Sequence, residues 1–206
     1  MTREELIAML AIKGYGRAEH LAEALAATPG EVTGLLGELE AETLIASSRI
    51  GAKLTEAGHS LAHRLRQEEL ALADGNAVAV IYERFEPVNK DFKAAMADWQ
   101  MRPGPDGPIP NDHGDTAWDT AVIERIAHCH DAVEPIVADS AAQCRRLARY
   151  GQRLAAALAR VREGQTRYLS TPLIDSYHTV WFELHEDLIR LAGRNRADEA
   201  GAGRAV

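Results

Sequence analysis

The sequence predicts a mainly α-helical protein with one short β-hairpin in its first third. Ala, Leu, Glu and Arg dominate the composition, and Ala and Leu lose little side-chain entropy in a helix. Apolar residues recur at helical spacing along most of the chain, and a short alternating run interrupts them once. Of 206 residues, 46% are hydrophobic and 26% are charged, which is typical of a globular protein with a core. This length fits one large domain or two small ones.

The first two helices and the start of the third are marked in the sequence. In the first helix, leucine and isoleucine form an apolar stripe that ends at Gly14 and Gly16. A second apolar stripe, in the second helix, follows. The third helix has a strong start signal, because Thr28 can be its N-cap and Pro29 can occupy its first position. Glu31 then closes a capping box. We therefore expect three short helices before residue 44.

The next segment predicts a hairpin and a fourth helix. Residues 44–50 alternate between apolar and polar, Gly51 supplies a turn, and residues 53–55 form a second short strand. A further helix runs to about Ala73. Three helices, a hairpin and a helix are the element order of a winged helix-turn-helix unit, which we assign to residues 1–74.

Two stretches carry a family resemblance, residues 38–45 and residues 54–61. With the element order, they make the segment resemble the DNA-binding domains of MarR-like winged-helix regulators. The resemblance covers about a third of the chain. It implies a transcriptional regulator that binds DNA as a homodimer, with the third helix in the major groove.

The residues of the third helix do not fit that role well. Base edges in the major groove are read by Arg, Lys, Asn and Gln, and none of these lies between Glu31 and Thr43. The whole segment carries seven Lys and Arg against twelve Asp and Glu. Arg49 and Lys53 flank the predicted hairpin turn. An equally open interpretation is that they are only solvated surface charges of the hairpin. The candidate DNA-contacting residues are Lys13, Arg17, Thr28, Thr33, Arg49 and Lys53.

The second segment, residues 75–195, predicts a helical bundle that senses a ligand or forms a dimer, with a flexible tail at 196–206. Residues 102–115 are rich in Pro and Gly and predict the one long loop of the chain. We expect Pro87 to start or kink a continuation of the helix before it, and Pro135 to begin another helix. The expected helices are 78–85 with a continuation to 100, 116–130, 135–143, 145–162 and 174–191.

Two groups of polar and aromatic residues are candidates for binding a small-molecule effector. The first lies at the end of the long loop, where the alternative is that Asp115 merely caps the next helix. The second lies on the last helix, where Asp175, His178, Phe182 and His185 would share a face. Its spacing resembles the acidic-His pattern of ligand-binding domains in some GntR-type regulators; the alternative is a buried, hydrogen-bonded histidine face. The candidate ligand-binding residues are Trp99, Asn111, Asp112, His113, Trp118, Asp175, Tyr177, His178, Trp181 and His185.

A third candidate site is a row of arginines on the helix over 145–162. Arg146, Arg149 and Arg153 could bind a phosphorylated ligand, an acidic partner or the acidic first segment itself. The alternative is a solvated face that pairs with neighbouring carboxylates. These arginines are the one concentration of positive charge in a chain of net charge −8.

Catalytic motifs are missing from the sequence. It has no glycine-rich phosphate loop, no G-x-S-x-G and no HExxH. Its two cysteines are not in a CxxC pair, and His178 and His185 are too far apart along a helix for both to bind one metal ion. No apolar run approaches the ~20 residues that cross a bilayer. We expect a cytoplasmic protein that is not an enzyme and has no cofactor or bound metal.

A second resemblance covers nearly the whole chain. Residues 98–102, 111–113 and 175–188 look similar to a module appended to some actinobacterial pyruvate phosphate dikinase-like proteins. The chain lacks the dikinase's ATP-grasp and phosphohistidine domains, so no catalytic residue carries over. This resemblance implies the alternative function, a non-DNA-binding accessory module that contacts proteins and is linked to phosphoenolpyruvate or pyruvate metabolism.

Overall fold

The computed structural model describes residues 1–194, and most of them are helical. The helices are α1 (Arg3–Lys13), α2 (Ala18–Leu25), α3 (Pro29–Ala41), α4 (Glu56–Leu72), α5 (Gly75–Gln100), α6 (Thr116–Gln143), α7 (Arg149–Arg162), α8 (Arg167–Ser170) and α9 (Tyr177–Leu191). The strands are β1 (Ile45–Ser48), β2 (Gly51–Leu54), β3 (Met101–Gly104) and β4 (Gly107–Pro110). A 3₁₀ turn, Arg145–Ala148, precedes α7. The expected tail at 196–206 lies outside the described residues.

The hairpin predicted near Gly51 is confirmed. Strands β1 and β2 pair antiparallel, with Ile45 opposite Leu54. The link between α1 and α2 is joined to this hairpin, because Gly16 and Ala52 exchange two backbone hydrogen bonds of 3.0 and 2.9 Å. Gly51 has a φ of +136°, and a Cβ there would lie 2.6 Å from the Gly16 carbonyl oxygen, so the position requires glycine.

The start of α3 is also as expected. The Thr28 side chain accepts from the Glu31 backbone N–H, and the Glu31 carboxylate accepts from the Thr28 N–H at 2.8 Å. On the buried side of α3, Val32 and Leu39 are fully covered. Helices α1–α4 and the first hairpin share one hydrophobic cluster, which runs from Leu6 to Leu65.

A second hydrophobic cluster involves α5, α6, α7 and α9, from Val78 to Leu191. Helix α5 packs along α6, and α9 contacts α1, α4, α5, α7 and α8. Because α9 is surrounded by other helices, ten of its fifteen residues are buried. None of the described helices is both long and apolar enough to cross a membrane.

Two expectations about this second part are wrong. The expected long loop is mostly a second hairpin, β3–β4, in which Pro103 faces Pro108. Proline is tolerated in such a two-stranded edge because the missing N–H can face away from the partner. No helix begins at Pro135, because α6 continues through it, and α5 runs through Pro87 to Gln100 as the expected continuation does. Both prolines are exposed, so water can satisfy the carbonyl that each leaves unpaired.

Candidate functional site

A cluster of charged side chains is buried where α9 meets α1 and α7. Arg153 on α7 donates to Asp175 at 2.6 and 2.9 Å and to Glu183 at 2.8 Å. The Lys13 ammonium, at the end of α1, lies 2.5 Å from Glu183 and 3.8 Å from Asp175. All four side chains are at most 12% exposed. These four side chains form a buried group of ion pairs that links α1 to α7 and α9. We call it the α9 joint.

Burial would raise the pKa of the Asp175 carboxyl, but the hydrogen bonds and charge of Arg153 and the charge of Lys13 outweigh it. Its pKa is therefore lower than usual, and the carboxylate is charged at neutral pH. Asp175 lies before α9, because Ser176 is the N-cap of that helix. The expectation that Asp175 shares a helical face with His178 and His185 is therefore wrong.

A second buried joint connects α9 to α4. Arg146 donates to Glu69 at 2.7 and 3.0 Å and to Asp187 at 2.6 Å, and the Tyr150 hydroxyl donates to Asp187 at 2.6 Å. Burial opposes the charge of Asp187, yet Arg146 and the Tyr150 hydroxyl hold its pKa below the ordinary value. Within the described residues, Asp187 Oδ1 has no hydrogen-bond partner.

These two joints account for the arginines expected to form a ligand or partner patch. Arg146 and Arg153 are directed at carboxylates of the same chain, and Arg149 Nε donates to the Arg146 carbonyl at 2.6 Å. The interpretation that they hold the acidic first segment fits Arg146 with Glu69, and Arg160 also reaches a carboxylate of α2. An open phosphate-binding row does not fit, because Arg146 and Arg153 are already paired with carboxylates and Arg149 is half-buried beside them.

The aromatic candidates on α9 form part of the core. Tyr177 and Trp181 are at most 2% exposed, and Trp181 stacks on Phe92 with ring centroids 4.2 Å apart. The Trp181 Nε1 donates to Asn89 at 2.9 Å. His185 packs on Phe85 at 5.2 Å, and burial lowers the pKa of His178. These side chains pack in the hydrophobic core and do not line a common pocket.

The candidates at the end of β4 form a separate polar network. Asn111 donates to Asp119 at 2.8 Å and to the Trp99 carbonyl at 3.1 Å. The His113 ring lies 4.3 Å from the Trp99 ring, and its Nδ1 is 3.0 Å from Asp119. Trp118 Nε1 donates to the backbone at 2.9 Å.

This network fastens the second hairpin to the ends of α5 and α6. Asp112 pairs with Arg102 of β3 at 3.4 Å, and Asp115 caps α6 through two backbone N–H groups. The structure does not bring this group together with Tyr177, Trp181 and His185, so the ligand-binding candidates do not form one site.

The candidate DNA-contacting residues lie in two environments. Lys13 is in the buried joint, Thr28 caps α3, and the Thr33 hydroxyl donates to the Pro29 carbonyl at 2.8 Å. Arg17, Arg49 and Lys53 are exposed around the hairpin, where Arg17 donates to the Arg49 carbonyl at 3.4 Å. The exposed side of α3 carries Gly30, Thr33, Gly34, Gly37 and Glu38.

A groove that sequence reasoning missed lies between the first hairpin and α9. It has a volume of about 430 Å³ and includes four large apolar side chains that are unusually exposed. Tyr15 is 41% exposed, Ile50 65%, Leu173 62% and Phe182 43%. Sequence patterns marked only Phe182 among them, on the last helix, because the four residues come from separate segments.

The described residues include no group of three or more His, Cys, Asp or Glu side chains that could hold a metal ion. Both thiols, Cys129 and Cys144, are buried, and burial raises the pKa of each to about 11. A thiol with such a pKa is a poor nucleophile at neutral pH.

Comparison with known proteins identifies no relative. The chain matches no protein-family model, no curated protein and no solved structure.

Proposed function

We propose that the chain is a regulatory module that binds another protein, built from a winged-helix unit over residues 1–74 and a helical bundle over 75–195. The observation that carries the proposal is the exposed side of α3. It presents glycine, threonine and glutamate and has no cation. A helix of that composition lacks the Arg, Lys, Asn and Gln that usually read base edges, and its carboxylates would repel a phosphate backbone.

The surface of α3 suits close contact with another polypeptide. A Cβ built on Gly30, Gly34 or Gly37 would meet no other atom within 4 Å, so this side is open. Small side chains allow a partner's backbone to approach closely, and the flanking Glu31 and Glu38 favour a partner that carries cations.

The second candidate function is DNA binding through the wing. It is favoured by Arg17, Arg49 and Lys53, which are exposed together around the first hairpin. A protein that uses only such phosphate contacts binds DNA weakly and without sequence preference, with a Kd of about 10⁻⁴–10⁻⁶ M at physiological salt. Under this second candidate function, the protein would bind DNA as a homodimer with two DNA-contacting units.

Fluorescence anisotropy with labelled duplexes tests the two candidates against each other. One duplex is the DNA upstream of the protein's own coding sequence and the other is unrelated. We expect weak binding that does not distinguish them. Sequence-specific, salt-sensitive binding that Arg49→Glu with Lys53→Glu abolishes, but Arg145→Glu leaves intact, would overturn the proposal in favour of DNA.

Site-directed photocrosslinking in cells tests the protein partner directly. A benzophenone amino acid in place of Gly37 should give one discrete crosslinked product, because a side chain there points into open space. The same amino acid in place of Asp106, at the turn of the second hairpin, is the matched control. Equal, diffuse crosslinking from both positions would contradict a partner surface on α3.

A further inference from the structure

The groove between the first hairpin and α9 is an apolar surface whose large side chains are exposed rather than buried in the core. Its four apolar walls come from the α1–α2 link (Tyr15), the hairpin turn (Ile50), the segment before α9 (Leu173) and α9 itself (Phe182). Single exposed apolar residues are common, but four around one concavity indicate an interaction site. Leu173 also has a φ of +69°, a backbone conformation that bulky residues rarely adopt, and it holds this side chain outward.

The size of the groove favours a small molecule over a folded partner. Its volume of about 430 Å³ falls within the range of ligand pockets, about 300–1,000 Å³. A stable protein–protein interface involves about 20–30 residues on each partner, whereas eleven residues line this groove.

The charges at the groove select the sign of the ligand. At its base, Lys13 and Glu183 neutralise each other in the buried joint. Arg17 is exposed at its edge, and within residues 1–194 it forms no ion pair and donates only to the Arg49 carbonyl, at 3.4 Å. His20 lines the same edge. An apolar cleft with an unneutralised guanidinium suits a ligand with an apolar body and an anionic head.

We propose that this groove binds a small amphipathic organic anion, with a carboxylate or sulfonate head at Arg17 and an apolar body among Tyr15, Ile50, Leu173 and Phe182. The site differs from the α3 surface of the proposed function and does not depend on it. A ligand seated here would contact the hairpin and α9 at once, and so would bridge the two hydrophobic clusters of the chain.

A matched pair of fluorescent probes tests the proposal on the full chain. 8-Anilino-1-naphthalenesulfonate carries an anionic head, and N-phenyl-1-naphthylamine has the same rings without it. We expect one saturable site for the anionic probe and weaker binding of the neutral one. Octanoate should displace the anionic probe more effectively than octan-1-ol, which shares its chain length.

Variants then separate the head from the body of the ligand. Arg17→Ala should weaken binding of the anionic probe about tenfold and leave the neutral probe nearly unchanged, since one charge-assisted hydrogen bond is lost. Phe182→Ser and Ile50→Ser should weaken both probes. Ile50 is at the hairpin turn, so its variant folds even if Phe182→Ser does not. Arg145→Ala and Ile109→Ser, elsewhere on the surface, are controls that should change neither.

Several results would overturn the proposal. They are equal affinity for the two probes, binding that survives both Ile50→Ser and Phe182→Ser, and the absence of saturable binding. Sedimentation showing a dimer that Ile50→Ser dissociates would also overturn it, because a second copy would then cover the groove. DNA or crosslinking results on α3 bear only on the proposed function and leave this test unaffected.

Discussion

Helices α9 and α3 differ in how much of their chemistry faces solvent. Helix α9 contains acids, histidines and aromatics, yet ten of its fifteen residues are buried. Helix α3 contains glycine, leucine and glutamate, and only Val32 and Leu39 of its thirteen residues are fully buried. The charged, histidine and aromatic side chains of α9 are therefore structural. The exposed surface is formed by α3, whose side chains are fewer in type and mostly small or acidic.

The difference follows from what surrounds each helix. Because five other helices contact α9, every polar group on it needs a partner inside the protein. Glu183 and Asp187 find theirs in Arg153, Lys13 and Arg146. Helix α3 contacts mainly α2 and β1, and its opposite side is exposed, so the polar groups there can hydrogen-bond to water. Residue type alone therefore does not indicate a functional site.

The largest effect we predict comes from breaking the buried joint at α9. Arg153→Leu leaves Asp175 and Glu183 buried with only Lys13 to balance them. Removing one partner of a buried ion pair lowers the free energy of unfolding by about 3–5 kcal/mol. Urea unfolding followed by circular dichroism measures the change.

The matched control for that variant is an exposed ion pair. Arg84 and Asp139 lie 2.6 Å apart with side chains 44% and 51% exposed, so Arg84→Leu should change the stability by less than about 1 kcal/mol. Similar losses in the two variants would show that the α9 joint is not as closed to water as its geometry indicates.

The next effect concerns the aromatic core of α9. Trp181→Phe keeps an aromatic ring in the core but leaves a small cavity, and the buried Asn89 side-chain oxygen loses its donor. An unsatisfied buried acceptor costs about 1–3 kcal/mol, which thermal unfolding can measure. Trp118→Phe removes a similar bond in a half-buried setting, where water can replace the donor, so its loss should be smaller. A larger loss for Trp118→Phe would contradict the distinction.

Local signals allowed part of the fold to be predicted. The capping box at Thr28 and the alternation around Gly51 depend on neighbours in the chain, and both features are present in the structure. The uninterrupted course of α6 through Pro135 was not predictable, because it depends on the proline facing solvent in the packed protein. The second hairpin was missed for a related reason, since proline and glycine more often mark a loop.

The sites were harder to predict than the fold. Arg153 and Glu183 are thirty residues apart, and Lys13 is 170 residues from Glu183. No periodicity connects such positions, so the arginines were interpreted as a surface row. The groove was missed for the same reason, because Tyr15 and Phe182 become neighbours only when α9 packs against the first unit.

On α3 we predict a smaller change, of opposite sign. Gly34→Ala and Gly37→Ala should each raise the free energy of unfolding by up to about 1 kcal/mol, because alanine is the better helix former and the added methyl meets open space. Gly58→Ala in α4 is the control, since its Cβ would lie 2.0 Å from the Leu44 carbonyl oxygen, and it should be destabilising. Destabilisation by Gly34→Ala in the isolated chain would show that α3 is already covered.

The smallest effect we predict is a pH dependence from His178. Burial lowers the pKa of its imidazole below the ordinary 6.5, so the unfolded chain takes up a proton before the folded one does. The free energy of unfolding should therefore fall as the pH decreases from about 7 to 5. Asp175 and Asp187 do not interfere, because their lowered pKa values confine their losses to pH below about 4.

His178→Gln should make that fall shallower, and His63→Gln, at an exposed site on α4, should leave it unchanged. Some of the fall should remain in His178→Gln, because burial also lowers the pKa of His130. Urea unfolding at pH 5, 6 and 7 provides the comparison. An identical slope in His178→Gln and the parent chain would mean that this side of α9 admits water, and the contrast between α9 and α3 would then hold only for the charged joints.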